Sequence, residues 1–238
     1  TIMKMKNMLI GGMSLSLVAC LSIGATLAYF TDKSDTMTNV FTTGKVDMTL
    51  IDETEDPKGQ YTFDENGVQN GILYTGVVPG DDLDKRVSVL TRDGSSNAHV
   101  GIVVTVGNTT DPSKQEVYKL IDEAVARQEE VDGNKWLGVQ DVKVYDGENI
   151  VYGKLYAYNP EYPGWEQGVP ANTLMRLFSD IKIPTAWDND EAEAVFDIKV
   201  QAYALQAENT APSLLKSAIE GTLKDDNGDR VEFQQYGD

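Results

Sequence analysis

The stretch "AVFDIKVQAYALQAE", Ala194 to Glu208, puts Phe196, Ile198, Val200, Ala202 and Ala204 on one parity and Asp197, Lys199 and Gln201 on the other. Successive side chains of an extended chain point to opposite faces, so this is the period of a strand with one face in a core. The same period recurs outward along the chain. In "GKVDMTLID" Val46, Met48 and Leu50 stand against Asp47 and Thr49, and Val40 shares their parity, so this strand is expected to begin before Gly44. "DENG" (64–67) and "QNG" (69–71) are turn signals ahead of the strand-like "GILYTGVV". After "PGDD" (79–82), "LDKRVSVLT" aligns Leu83, Val87 and Val89; beyond "RDGSSN", "AHVGIVVTV" aligns Val100, Ile102, Val104 and Val106. A short Gly/Ser loop between two such runs predicts an antiparallel hairpin. A second hairpin is predicted in "VKVYDGENIVYGKLYAY", around Asp146-Gly147.

One segment has a different rhythm. In "DPSKQEVYKLIDEAVARQEEV" (111–131) Asp111 offers an N-cap and Pro112 a first helical position. Val117, Leu120, Ile121, Ala124 and Val125 then recur at three and four spacing, which predicts an amphipathic helix packed over a sheet edge. A short helix is expected from Pro212, then a turn at Asn227-Gly228 and a weak last strand. Many short strands joined by Gly, Asn and Asp turns, with one or two peripheral helices, predict a mainly β fold: a two-sheet antiparallel sandwich, jelly-roll-like. No internal repeat or long linker divides the chain. The expected organisation is a signal peptide over 1–28, a separate N-terminal segment over 29–43, and one β domain over 44–238 with its helical insertion near 111–131.

The N-terminus has the plan of a secretory signal. Lys4 and Lys6 precede an uncharged, largely apolar run from Met8 to Ile23, and Thr26-Leu27-Ala28 is a small-residue site for cleavage between Ala28 and Tyr29. Two other readings stand beside it: a retained membrane anchor, since about 20 apolar residues span a bilayer, and lipidation at Cys20 in "LVAC". The 238 residues carry a net charge of −18, with 38 acidic residues, one cysteine and one histidine. Every acidic residue follows Ala28, so loss of the leader makes the charge two units more negative and removes the only thiol. A surface of that sign disfavours nucleic acid as a partner and favours cations. Without cysteine the mature chain has no disulfide, thiol catalysis or thiolate ligation.

Catalytic constellations are thin. His99, the only histidine, sits on the polar parity of its strand and is expected at the surface or on an edge strand. No Gly-x-Ser-x-Gly elbow and no His-Glu-x-x-His motif supports it, so no catalytic residue is assigned and no enzyme is expected. No cofactor is required by any motif. Calcium is the cation to consider, because hard cations take oxygen ligands. Its weak candidates are Asp188 and Asp190 in "DNDEAE", and Asp225 and Asp229 in "DDNGDRVE", neither of which has EF-hand spacing. Tyr162 and Trp165, in the loop "NPEYPGWEQGVPAN", offer a stacking surface for a sugar.

The segment "GATLAYFTDKSDTMTNVFTTGKVDMTL" resembles the start of the TasA and camelysin proteins of Gram-positive bacteria. There an alanine-ended signal runs into an aromatic pair, then "N-x-F-x-x-G-x-[LV]-D-[LM]-x-L"; Tyr29, Phe30, Asn39, Phe41, Gly44, Val46, Asp47, Met48 and Leu50 match it in place. "VVPGDDLDKRVSVLTRDGSSNAHV" is similar to that family's Pro-Gly-Asp strand pair, with Arg92-Asp93 where asparagine is usual, and "FDIKVQAYALQAE" is similar to its late Ala-x-Ala-x-Gln strand. The middle, about 110–172, carries no such likeness. The resemblance implies a protein exported by a dedicated signal peptidase to the extracellular matrix or cell surface, and a jelly-roll subunit or accessory of biofilm fibres. It also implies self-association into filaments by donor-strand exchange. Matrix polysaccharide or another fibre protein is a further implied partner. The donor would lie within Tyr29, Phe30, Met37, Val40 and Phe41. "TDKSD" interrupts alternation there, so Val40 to Ile51 has a second reading as the first strand of the molecule's own sheet. Two further functions stay open: an adhesin or ligand-binding β module, and a camelysin-like secreted metalloprotease.

Overall fold

The computed structural model describes residues 31–34, 40–41, 46–63, 67, 69–109, 111–133, 135–146, 149–158, 167–187, 194–208 and 210–221. Its elements, in chain order, are β1 (Thr31–Ser34), β2 (Val40–Phe41), β3 (Asp47–Glu53), β4 (Gly59–Phe63), β5 (Gln69–Val77), β6 (Asp82–Thr91) and β7 (Ala98–Gly107). Then come helix α1 (Asp111–Asp132), β8 (Trp136–Asp146), β9 (Asn149–Tyr158), β10 (Leu174–Lys182), β11 (Ala194–Gln206) and the short helix α2 (Leu214–Ile219).

The strands make two antiparallel sheets. The larger runs β4-β5-β11-β7-β9-β8, with β1 also paired to β11; the smaller runs β10-β6-β3-β2. The alternation read from sequence decides which side chains meet between them. Phe196, Ile198, Val200, Ala202 and Ala204 of β11 join Val100, Ile102, Val104 and Val106 of β7 from one sheet. Met48 and Leu50 of β3, Leu83, Val87 and Val89 of β6, and Met175, Phe178 and Ile181 of β10 come from the other, in a single apolar cluster. Each fully buried Val, Leu, Ile or Phe contributes about 1.5–3 kcal/mol relative to exposure.

Helix α1 buries the residues its spacing selects, Val117, Leu120, Ile121, Ala124 and Val125, chiefly against β10, the end strand of the smaller sheet. Polar bonds fix it there and against β9. Arg127 pairs with Asp180 at 3.5 Å, the Ser179 hydroxyl donates to Gln128 at 2.7 Å, and Lys154 and the Tyr156 hydroxyl both donate to Asp122 at 2.7 Å. The β8–β9 hairpin is present, with Asp146 opposite Asn149.

Three expectations are corrected. First, β6 and β7 do not pair; they lie in different sheets. The loop between them is an arch, held where the Arg92 amide donates to the Asp47 carbonyl at 2.8 Å and the Asp47 amide to Ser95 Oγ at 3.1 Å. Turn residues dictate that the chain reverses, not which sheet it rejoins, and β7, buried along nearly its whole length, belongs between two strands. Second, the strand containing Met48 starts at Asp47, and Val40–Phe41 folds back against it with Val40 opposite Met48, so shared parity did not mean one continuous strand. Third, Gln69–Gly71 is strand, paired to β4, rather than turn.

The larger sheet has a second apolar face that the alternation did not announce. Val103, Val142, Val144, Leu155, Tyr203 and Leu205 form a separate cluster capped by Leu215 and Ile219 of α2. Gly101 makes room for this cap, since a Cβ there would lie 2.8 Å from both Leu155 Cδ1 and Leu215 Cδ2. Among the described residues no helix is long and apolar enough to cross a membrane.

Candidate functional site

The 13 residues of β11 outreach their neighbours, and this creates the site. Along one edge β7 pairs continuously, from Asp197 opposite Gly107 to Gln206 opposite Ala98. Along the other, the register with β5 runs only from Ala194 to Ile198, although β5 continues to Gln69 with β4 on its far edge. A strand residue has one edge on each side, so the second edge of Ala202–Leu205 falls to β1. The register is Thr31 opposite Leu205, Asp32 opposite Ala204, Lys33 opposite Tyr203 and Ser34 opposite Ala202. The site is therefore a slot in a sheet, open on the β5 side and filled by four residues from the N-terminal part of the chain. An unfilled slot of this kind presents a row of unpaired N–H and C=O groups, a template for any extended segment.

The slot's floor is buried on both faces of the sheet. Ala202 and Ala204 lie in the core between the sheets and Tyr203 and Leu205 in the α2 cluster, all but fully buried. The plug is short and polar, "TDKS". At about 0.5–1.5 kcal/mol net per hydrogen bond, four paired residues hold it with far less than the interior strands have.

Of the residues marked from sequence, Val40 and Phe41 lie in β2 of the smaller sheet. Ala28, Tyr29, Phe30, Met37, Tyr162, Trp165, Asp188, Asp190, Asp225 and Asp229, together with Cys20, lie outside the described residues. Among the described residues no three His, Cys, Asp or Glu side chains gather as metal ligands. His99 is not a surface histidine. It is 4% exposed, its Nε2 lies 3.4 Å from the Thr210 carbonyl, and burial holds its pKa below the ordinary 6.5. Its parity was read correctly, but that face is roofed by the segment leading into α2. Nearby, Ser96, Asn97, Gln167, Gln206, Ala207 and Glu208 line an open depression of about 430 Å³.

Sequence reading missed one constellation. Lys85 of β6 and Asp52 of β3 face each other in the interior, both side chains without solvent exposure, Lys85 Nζ 2.5 Å from Asp52 Oδ1. Asp52 Oδ2 is buried with no hydrogen-bond partner. Burial raises the Asp52 pKa and lowers that of Lys85, outweighing their mutual attraction, so both groups move toward their neutral forms. The surroundings are ordered by backbone acceptors. Tyr74 Oη and Thr54 Oγ1 donate to the Asp84 carbonyl at 2.9 and 2.5 Å, and Gln69 Nε2 donates to the Asp52 carbonyl at 2.9 Å. The signal was present in the sequence: Lys85 continues the parity of Leu83, Val87 and Val89, and Asp52 that of Val46, Met48 and Leu50.

The chain matches no protein-family model, no curated protein and no solved structure.

Proposed function

We propose that this chain is an exported structural protein, a subunit or accessory of extracellular matrix fibres of the TasA and camelysin kind, assembling by strand exchange between copies. The observation that carries the reading is the pairing of Thr31–Ser34 with Ala202–Leu205, in the edge that β5 leaves open. The same backbone bonds are available when the plug comes from another copy, with main-chain hydrogen bonds supplying affinity and alternate side chains the register. Copies linked head to tail in this way grow into a filament wherever the rotation from one to the next does not close a ring. Tyr29 and Phe30 adjoin the plug in sequence, and their burial in a neighbouring copy would add about 1.5–3 kcal/mol each before ordering costs. The two sheets with their shared core are read as a jelly-roll-like sandwich, the form suited to accepting an added strand. Cleavage after Ala28 frees the plug from the leader and so times assembly to export.

Electron microscopy of protein beginning at Tyr29, beside a form lacking 29–38, tests the reading. Fibres are expected from the first and none from the second. Protein that stays monomeric at high concentration, with acid or fibre seeds, or fibre growth undiminished by the deletion, overturns it.

A further inference from the structure

Asp52 and Lys85 are an ion pair in a place poorly made for ions. Two buried charges are stable only when their remaining lone pairs and protons are also satisfied. Here Asp52 Oδ2 has no partner, and among the described residues the Lys85 ammonium has its hydrogen bond to Asp52 Oδ1. The neighbours on this face are Leu83 and Val87 on β6 and Leu50 on β3, all buried; the buried carboxylate of Asp197 is the one further charge that acts on Lys85 among the described residues, and burial outweighs it. The alternative that burial favours is transfer of one proton from nitrogen to oxygen, giving a neutral amine against a neutral carboxylic acid.

That pair is reactive. A neutral amine is a nucleophile, and a protonated carboxyl is a far better electrophile than a carboxylate. Their position is fixed by the sheet. Asp52 is opposite Val87 and Glu53 opposite Arg86, so Lys85 stands one diagonal step from Asp52 on the same face of adjacent strands, 33 residues away in sequence, with the reacting groups in contact. Held at that separation, the two groups react as one molecule, where effective concentrations reach about 10⁵–10⁸ M.

We propose that Lys85 and Asp52 are the precursors of an intramolecular isopeptide bond that staples β3 to β6. The lone pair of Lys85 Nζ attacks Asp52 Cγ and forms the C–N bond. The tetrahedral centre then collapses, the bond from Cγ to its hydroxyl oxygen breaks, and that hydroxyl takes a proton from the attacking nitrogen and leaves as water. Amine and acid become amide and water, with no oxidant, reductant or other reactant. The product replaces two buried ionisable groups by one neutral amide. The dry surroundings also protect it from hydrolysis. The bond forms within one chain and does not depend on fibre assembly.

The test is the mass of the full chain, purified and fully denatured. The expected mass is lower than that of the sequence, or of the processed N-terminus found, by one water. Trypsin then releases residues 46–58 joined to 59–86, uncut after Lys85. Asp52→Asn, nearly identical in shape, is expected to lose ammonia in place of water. Lys85→Met is expected at the full sequence mass. A linked fraction that rises over days of incubation also supports the bond. The unmutated chain at full mass, with the two peptides separate after that incubation, overturns it whatever the variants do. A water still missing from Lys85→Met also overturns it.

Discussion

Gly168 and His99 show how single positions are constrained around the start of β7. Gly168 has a φ of 73°, and a Cβ there would lie 2.5 Å from Ala207 Cβ and 2.8 Å from the Ala98 carbonyl carbon. Gly168→Ala therefore meets both backbone strain and collision, and is expected to destabilise the fold by at least about 2 kcal/mol in chemical denaturation. Gly94→Ala is the control, with a φ of 79° but open space at the Cβ, and only the backbone share of about 1 kcal/mol is expected. His99 gives a prediction in pH. Its folded pKa is depressed by burial, so below the ordinary value of 6.5 the unfolded chain takes up a proton that the folded chain refuses. Its contribution to stability is present above 6.5 and lost as pH falls through the folded pKa. The slope approaches about 1.4 kcal/mol per pH unit at most. Urea titrations of His99→Gln across pH 5 to 7 are expected to show a flatter stability profile than the unmutated chain, and an unchanged profile would mean that other groups carry the acid sensitivity.

At the scale of elements, what could be read depended on whether the physics was local. The alternation of Ala194 to Glu208, the helical spacing of Val117 to Val125 and the Asp146-Gly147 reversal are decided within a dozen residues, and all three elements stand where they were expected. The assignment of β6 and β7 to different sheets is decided by the rest of the molecule. It left one local trace: Val103 sits on the supposedly outer parity of a nearly continuous apolar run, the mark of a strand buried on both faces. The slot on β11 was not legible in the sequence: the donor residues marked from the N-terminal likeness do not include Thr31–Ser34, and which stretch of β11 is left to them depends on where its pairing with β5 ends. The pairing of β1 with that edge also supplies a test. Lys33 and Tyr203 are register partners, and such partners lie within disulfide reach. The chain beginning at Tyr29 has no cysteine of its own. Lys33→Cys with Tyr203→Cys is expected to hold the plug in its own molecule when oxidised, keeping the protein monomeric in light scattering, and to polymerise once reduced. Equal polymerisation in both states would remove β1 exchange as the route of assembly.

For the whole molecule the governing quantity is charge. A net charge of −18 sets copies against one another, whereas the proposed filament growth would bring two of them into contact along an edge. The repulsion between subunits acts through solvent over a screening length of about 30 Å at 0.01 M salt and about 8 Å at 0.15 M, so salt removes most of it without weakening the backbone bonds of the slot. Acid acts on the same term by protonating exposed carboxylates near their ordinary pKa of about 4. Elongation from sheared fibre seeds is thus expected to accelerate several-fold between 0.01 and 0.15 M salt at pH 7. It should accelerate again as pH falls from about 7 toward 5, where carboxylates begin to neutralise while the fold persists. Thioflavin-free turbidity or light scattering of the seeded reaction measures both slopes. If exchange is the rate-limiting step, the Lys33 and Tyr203 cysteine pair, oxidised, should abolish elongation at every salt concentration, because screening brings copies together but cannot open the slot. Growth that rises with salt even in the oxidised form would show assembly through lateral surface contacts, with the β11 edge taking no part.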